Sequence, residues 1–183
     1  MKGMVFTEFL EMVEDRFGYS TADKIVSESP LGSNGIYTAV GTYPHGEMLS
    51  LVGRLSEVTG IEASGLFYQF GKHLFGRFHS MYPSFFSADM NALDFHARIE
   101  NYIHPEVFKL YPDAELPRFV ITRESVDVLV MEYISGRKMH DFAEGLIHGC
   151  AAHFKETVSV RKEVISEDGS RVKFTISRGA DGN

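Results

Sequence analysis

Tyr133, Ser135 and Arg137 stand two residues apart in SVDVLVMEYISGRKM, just after a run of valines and leucines. In an extended chain, positions i, i+2 and i+4 project to one side. A phenol, a hydroxyl and a guanidinium would then converge from one strand end. All three are donors, and nothing in the stretch reads as a base or a nucleophile. The set suits an anion: arginine grips a carboxylate through two parallel hydrogen bonds, and the hydroxyls satisfy its other lone pairs. The same residues also suit a plainer task, tying a strand end to the helix that follows.

His104 is the second residue of interest. It lies in NYIHPEVFKLYP, among Ile103, Val107, Phe108 and Tyr111. Pro105 follows at once and has no N–H to donate, so a helix running through this point must bend or restart. A histidine in such a site is either a core residue bonded to a carbonyl or an axial ligand to haem iron. The other histidines offer less. His45, His73, His79 and His96 read as surface or capping residues. His140, Glu144 and His148 step by four along one helix, a spacing that can hold a metal. Their stripe drifts and lacks a clear fourth ligand, with His153 a weak candidate, and solvated surface is the reading preferred.

Haem is a flat apolar ring with two propionates, and it would account for the donor cluster and for an unusual composition together. The chain has 15 Phe and 8 Tyr but no Trp, and 8 Met add adaptable filler. Those phenylalanines can line a large flat guest, or they can be ordinary core. The net charge of −7 argues against a dominant nucleic-acid or anionic-membrane surface. The single cysteine excludes an internal disulfide and a multi-cysteine zinc site, and fits a reducing, cytoplasmic setting. The start, MKGMVFTEFLEMVEDRFG, mixes acids with apolar residues and is not a signal peptide. No run approaches the roughly 18 apolar residues of a membrane span.

The elements that must position these residues follow from periodicity. At 183 residues the chain is a match to one domain, 1–183. A first helix is expected from Met4 to about Phe17, with Val5, Phe9, Met12, Val13 and Phe17 inward and Glu8, Glu11, Glu14 and Asp15 largely outside. Gly18 ends it, and Ser20 with Asp23 resembles a capping box opening a short second helix. About twenty residues of loop come next. Helices then cover about 46–58, 62–78 and 91–111. Gly71 lies beside the Phe67, Phe70, Leu74, Phe78 stripe, where a missing side chain permits close approach of a neighbour. After DAELPRF the period changes to strand at 119–122 and 125–133. A helix at 138–154 turns Met139, Phe142, Leu146, Cys150 and Phe154 inward. A hairpin at 158–166 and 171–177 closes the chain through Asp168-Gly169. The class is α+β: helices first, then a small antiparallel sheet with an inserted helix.

Taken in order, these features resemble the haem-nitric oxide/oxygen binding (H-NOX) family, the sensor module of bacterial gas sensors and of soluble guanylate cyclase. The opening MKG, the YPSFF element at 82–86, IHPEVFKLYPDAELPRF, and YISGR followed by KMHDFAEGLIHG all fall where that family has its motifs. Each match alone is weak, but the ordered set is specific and covers essentially the whole chain.

The resemblance implies haem b buried between the helical part and the sheet, with a helical distal part at about 1–60 and a proximal part at about 61–183. It makes His104 the iron ligand and Tyr133, Ser135 and Arg137 the propionate anchors. Pro117 becomes the residue that presses on the ring. Val5, Leu74, Phe78 and Leu146 line the pocket, with Phe9 nearby on the distal side. Oxygen-binding members carry a distal tyrosine in the segment of Phe142, and polar or indole groups at the positions of Leu74 and Phe9. All three are apolar here, which implies a pocket that takes nitric oxide and carbon monoxide and excludes oxygen. The implied protein is a non-enzymatic nitric oxide sensor, without a fused output domain, that signals to a histidine kinase or a cyclic-di-GMP enzyme. Nitric oxide would loosen the bond between iron and His104. A haem carrier, a haem-dependent enzyme and a cofactor-free protein-interaction scaffold are the alternatives. Cys150 reads as a small core residue, because one cysteine cannot reproduce the cysteine-rich zinc site of some members.

Overall fold

The computed structural model describes residues 1–179 apart from Ala88. Four helices come first: α1 (Gly3–Phe17), α2 (Tyr19–Glu28), α3 (His45–Thr59) and α4 (Ala63–Met81). A short 3₁₀ turn, Pro83–Phe85, precedes α5 (Ala92–Ala97). A π-type stretch, Ile99–Ile103, leads directly into α6 (His104–Leu110). The rest is β1 (Arg118–Arg123), β2 (Val128–Ile134), α7 (His140–His153), β3 (Val158–Val164) and β4 (Arg171–Arg178). The four strands form one antiparallel sheet in the order β1-β2-β4-β3. The expected α+β architecture is therefore present, with α7 as the inserted helix. Among the described residues, no helix is long and apolar enough to cross a membrane.

Three apolar clusters make the core. The first joins α1 to α4 through Phe6, Phe9, Met12, Leu51, Leu55 and Phe70. The second is the inner face of the sheet, where Leu129, Met131 and Tyr133 of β2 alternate with outward residues and meet Val172, Phe174 and Ile176 of β4. That face packs on Ala143 and Ile147 of α7. The third gathers Phe75, Phe85, Phe95 and Ile103 around Cys150. Cys150 is fully buried, as expected of a core thiol, and burial pushes its pKa up.

Helices α4 and α7 pack backbone to backbone. A Cβ on Gly71 would lie 2.2 Å from the Phe142 carbonyl oxygen, and one on Gly145 would lie 2.1 Å from that of Tyr68. The expected role of Gly71 holds, and Gly145 is its counterpart. Gly145→Ala is expected to destabilise the protein by about 1–3 kcal/mol, because backbone cannot yield as a side-chain tip can. Gly76→Ala, on the same α4 with nothing within 4 Å, should instead stabilise by up to about 1 kcal/mol. Urea denaturation of the two variants checks both signs.

Two sequence expectations fail locally. Glu8 is buried rather than outside, because Arg77 reaches across from α4 with Nε 2.8 Å from its carboxylate. Ser20 caps nothing: α2 begins one residue earlier, after Gly18 with φ +85°, so Ser20 falls inside the first turn. The capping box lies instead at α5, where Asn91 accepts from the Asp94 amide at 2.9 Å and Asp94 accepts from the Asn91 amide at 3.4 Å.

Candidate functional site

Where the three clusters meet there is a cavity of about 280 Å³. Its wall is largely apolar, and Val5, Leu74, Phe78, Phe142 and Leu146 all belong to it. Phe9 does not. It is fully buried behind the wall, edge-on to Phe70 at 5.2 Å, and Phe70 in turn packs on Phe142 at 5.1 Å. His104, Pro117, Tyr133, Ser135 and Arg137 line the same cavity. Residues 5 to 146 in sequence thus share one space.

The donor cluster is assembled differently from the extended strand first envisaged. Tyr133 ends the inward row of β2, and its hydroxyl accepts from the Met139 amide at 3.1 Å. The strand stops at Ile134. Ser135 Oγ then accepts from the Arg137 amide at 3.2 Å, and the Lys138 amide donates to the Ser135 carbonyl at 3.2 Å. Lys138 takes the left-handed conformation, φ +57°. A tight turn, not strand alternation, brings Arg137 back to the cavity. Its guanidinium donates to Glu115 at 2.6 Å, so it holds a carboxylate of the kind anticipated for its ligand. Burial raises the pKa of the Tyr133 phenol, which keeps it a donor.

His104 owes its place to the π-type stretch. Its amide donates to the Ile99 carbonyl, five residues back. The extra residue in that turn sits just before Pro105, where a donor is missing and the regular ladder would break in any case. His104 Nδ1 lies 3.1 Å from Glu100 Oε1. A carboxylate accepts, so Nδ1 carries the hydrogen and Nε2 is left with the lone pair a metal needs. Burial pushes the imidazole pKa down, opposed by the Glu100 carboxylate. Pairing through Nδ1 with a free Nε2 is the usual state of a metal-binding histidine. The donor set therefore fits haem: one imidazole, an apolar slot, and a cationic hydrogen-bonding cluster able to meet propionates.

Five of the other seven histidines fall into three groups. His79 and His153 meet ring to ring at 4.0 Å beside a separate cavity with Phe86 and Met90, so His153 does not complete the His140–Glu144–His148 stripe. Lys162 bridges Asp141 and Glu144 at 2.6 Å, and His148 Nδ1 donates to the Glu144 carbonyl at 3.2 Å. That stripe is a half-buried helix face, with His148 edge-on to Tyr68 at 5.5 Å. Among the described residues, no three His, Cys, Asp or Glu side chains cluster as metal ligands do.

His96, expected at the surface, is buried on the cavity wall and donates through Nδ1 to the Ala92 carbonyl at 2.6 Å. Its two neighbours in sequence, Phe95 and Ala97, gave no sign of this, because α5 is too short for a periodic stripe. Burial lowers its pKa from 6.5 to about 4. Between those values the unfolded chain binds the proton and the folded one does not. Stability from this group is therefore complete above about pH 6.5 and is lost as pH falls towards 4. The loss at pH 4.5 is roughly 2–3 kcal/mol. In His96→Gln, the stability difference between pH 7 and pH 4.5 should shrink by that amount, read from urea midpoints at the two pH values.

Sequence reasoning also missed Tyr82, whose hydroxyl lies 3.0 Å from that of Tyr111 at the cavity wall. It missed the N-terminal pair as well. The Met1 amine donates to the Tyr43 carbonyl at 2.8 Å, and Lys2 Nζ donates to Thr42 at 2.8 Å and pairs with Asp113 at 3.1 Å. Glu100 was the one legible omission, since i−4 on a helix is within reach of His104.

Comparison with known proteins matches one family and a set of solved structures. The family described as Haem-NO-binding matches residues 2–162. The Fe(II) unliganded H-NOX protein from K. algicida superposes with a TM-score of 0.95 at 42% identity, covering 100% of this chain and 99% of that one. An H-NOX from Shewanella woodyi, solved in the Fe(II)CO state with IWP-051 bound, gives 0.84 at 41% identity over 100% and 97%. The S. oneidensis H-NOX in the Fe(II)NO state gives 0.90 at 23% identity over 98% and 100%, a likeness of fold. No curated protein matches.

Proposed function

The chain belongs to the Haem-NO-binding, or H-NOX, family, and from that premise we propose that it is a nitric oxide sensor that discriminates against oxygen and regulates a separate signalling partner. A haem-based gas-sensing role in general follows from the family. The finer reading rests on one observation above all: His104, with Nδ1 held by a carboxylate, shares an apolar cavity with Tyr133, Ser135 and Arg137. His104 would hold the iron of haem b, and the other three the propionates. Pro117 would lie against the ring, and Val5, Leu74, Phe78, Phe142 and Leu146 would wall it, with Phe9 bracing that wall from behind.

Ferrous haem supplies an iron that takes nitric oxide and carbon monoxide without needing a donor beside the gas. The side chains do the rest. Val5, Leu74, Phe142 and Leu146 offer no acid–base pair for peroxide chemistry, and His104 would be the connection between cofactor and backbone. A sensor of this kind needs two states that its partner tells apart. His104 and α6 are the element whose position would differ between them. The partner proposed is a histidine kinase or a cyclic-di-GMP enzyme. The first test is the electronic spectrum of the ferrous protein with nitric oxide. The Soret band of five-coordinate haem is expected. A six-coordinate spectrum that persists at room temperature would sink the release of His104.

A further inference from the structure

Glu100 lies at the junction of three elements. Its side chain leaves the π-type stretch and reaches both His104 Nδ1, at 3.1 Å, and the Phe119 amide of β1, at 2.6 Å, through the same Oε1. The Phe119 ring then packs on His104, centroids 6.0 Å apart, and on Tyr133 at 5.7 Å. The carboxylate is thus fixed from two sides, one of them backbone, and its anionic charge is directed at the nitrogen opposite the one that would bind metal. A full carboxylate in this place does more than a carbonyl would. It draws the Nδ1 proton, makes the imidazole a stronger electron donor through Nε2, and raises ligand basicity.

We infer that Glu100 is a positioning residue that sets the strength of the bond between His104 and the cofactor iron, and so the ease with which His104 lets go. The inference rests on the haem reading of the cavity. Its physical content is a bias: the carboxylate favours the ligated state and the oxidised metal, because both gain from negative charge behind the histidine. It also links the ligand to the sheet, since Glu100 cannot leave Nδ1 without also disturbing the Phe119 amide.

The test compares haem-loaded Glu100→Gln and Glu100→Asp with the starting protein. Glutamine keeps an acceptor for both hydrogen bonds and removes the charge, whereas aspartate keeps the charge on a shorter arm. In Glu100→Gln, the iron–histidine stretching band of the ferrous protein should move to lower frequency and the reduction potential should rise. Release of His104 after mixing with nitric oxide should quicken roughly 10- to 100-fold, the size of effect that partners behind a metal ligand have. Glu100→Asp should stay nearer the starting protein in all three. Identical bands and potentials in Glu100→Gln and the starting protein overturn the inference. Should both variants shed haem alike, charge is not what matters and the inference again fails. If the starting protein itself shows no iron–histidine band, it is the haem reading that falls, not the role of Glu100 alone.

Discussion

His104→Ala is expected to lose its haem. Removing partners behind a metal ligand costs roughly 10- to 100-fold in affinity, so removing the ligand itself should speed haem transfer to a competing apoprotein by more than about a hundredfold. The fold should survive. His104 opens α6, a helix of seven residues with none fully buried, and contributes little to the three clusters that make the core. Circular dichroism should therefore stay near that of the starting protein while the Soret absorbance falls. Added imidazole should restore a histidine-like ferrous spectrum, since the space left by the side chain opens on the cavity. A variant that keeps both its haem and a histidine-ligated spectrum would reassign the ligand, and His96 is the other imidazole on that wall.

The ferrous protein mixed with air-saturated buffer is expected to show no persistent oxy-haem spectrum within the first second, although it takes up nitric oxide and carbon monoxide. Bound oxygen gains from a donor because it becomes partly superoxide-like, and the wall of Val5, Leu74, Phe142 and Leu146 has none to give. The nearby Tyr82 hydroxyl is already engaged with Tyr111 and Met4. A missing charge-assisted hydrogen bond is worth about 1.5–3 kcal/mol, which is roughly ten- to a hundredfold in affinity. Phe142→Tyr should recover part of that factor as tighter oxygen binding or slower oxygen release. The recovery should be incomplete. Leu74 offers no group to orient the phenol, and Phe70 sits against the ring at 5.1 Å. A stable oxygen complex of the starting protein would overturn the exclusion even with His104 correctly assigned.

Legibility from sequence followed the range of the forces. Strands β2 and β4 were plain because alternate burial writes a period of two into the residues, and the hairpin was marked by Asp168-Gly169. The helix α7 was found, but its one expected apolar stripe was only part of it. Phe142 and Leu146 face the cavity, Ala143 and Ile147 face both the cavity and the sheet, and Gly145 and Gly149 face α4. A helix packed on three sides looks from its sequence like a weakly amphipathic one. Glu8 was misplaced because its partner, Arg77, lies far along the chain, and no local pattern predicts a pairing at that distance. Arg137 reaches the cavity by a route that strand alternation did not foresee, since the turn at Ser135 depends on the left-handed Lys138. His104 could be singled out by Pro105 and its apolar neighbours, but the hydrogen-bond register that aims it could not.

That register gives the segment an unusual sensitivity to length. Each residue of a regular helix advances the chain by about 100° around its axis, and a π-type turn holds one residue more than the regular path needs. Deleting a single residue between Ile99 and Ile103 would let the turn relax into ordinary helix, with better hydrogen bonding than before. The same deletion would remove Glu100 or leave it three residues from His104 instead of four, and so disturb the carboxylate that holds both His104 Nδ1 and the Phe119 amide. The segment is therefore a place where the chain can gain local regularity and lose its chemistry in one step. An insertion nearby would be harmful for the same reason, while substitutions at its exposed positions would leave the aim of His104 unchanged.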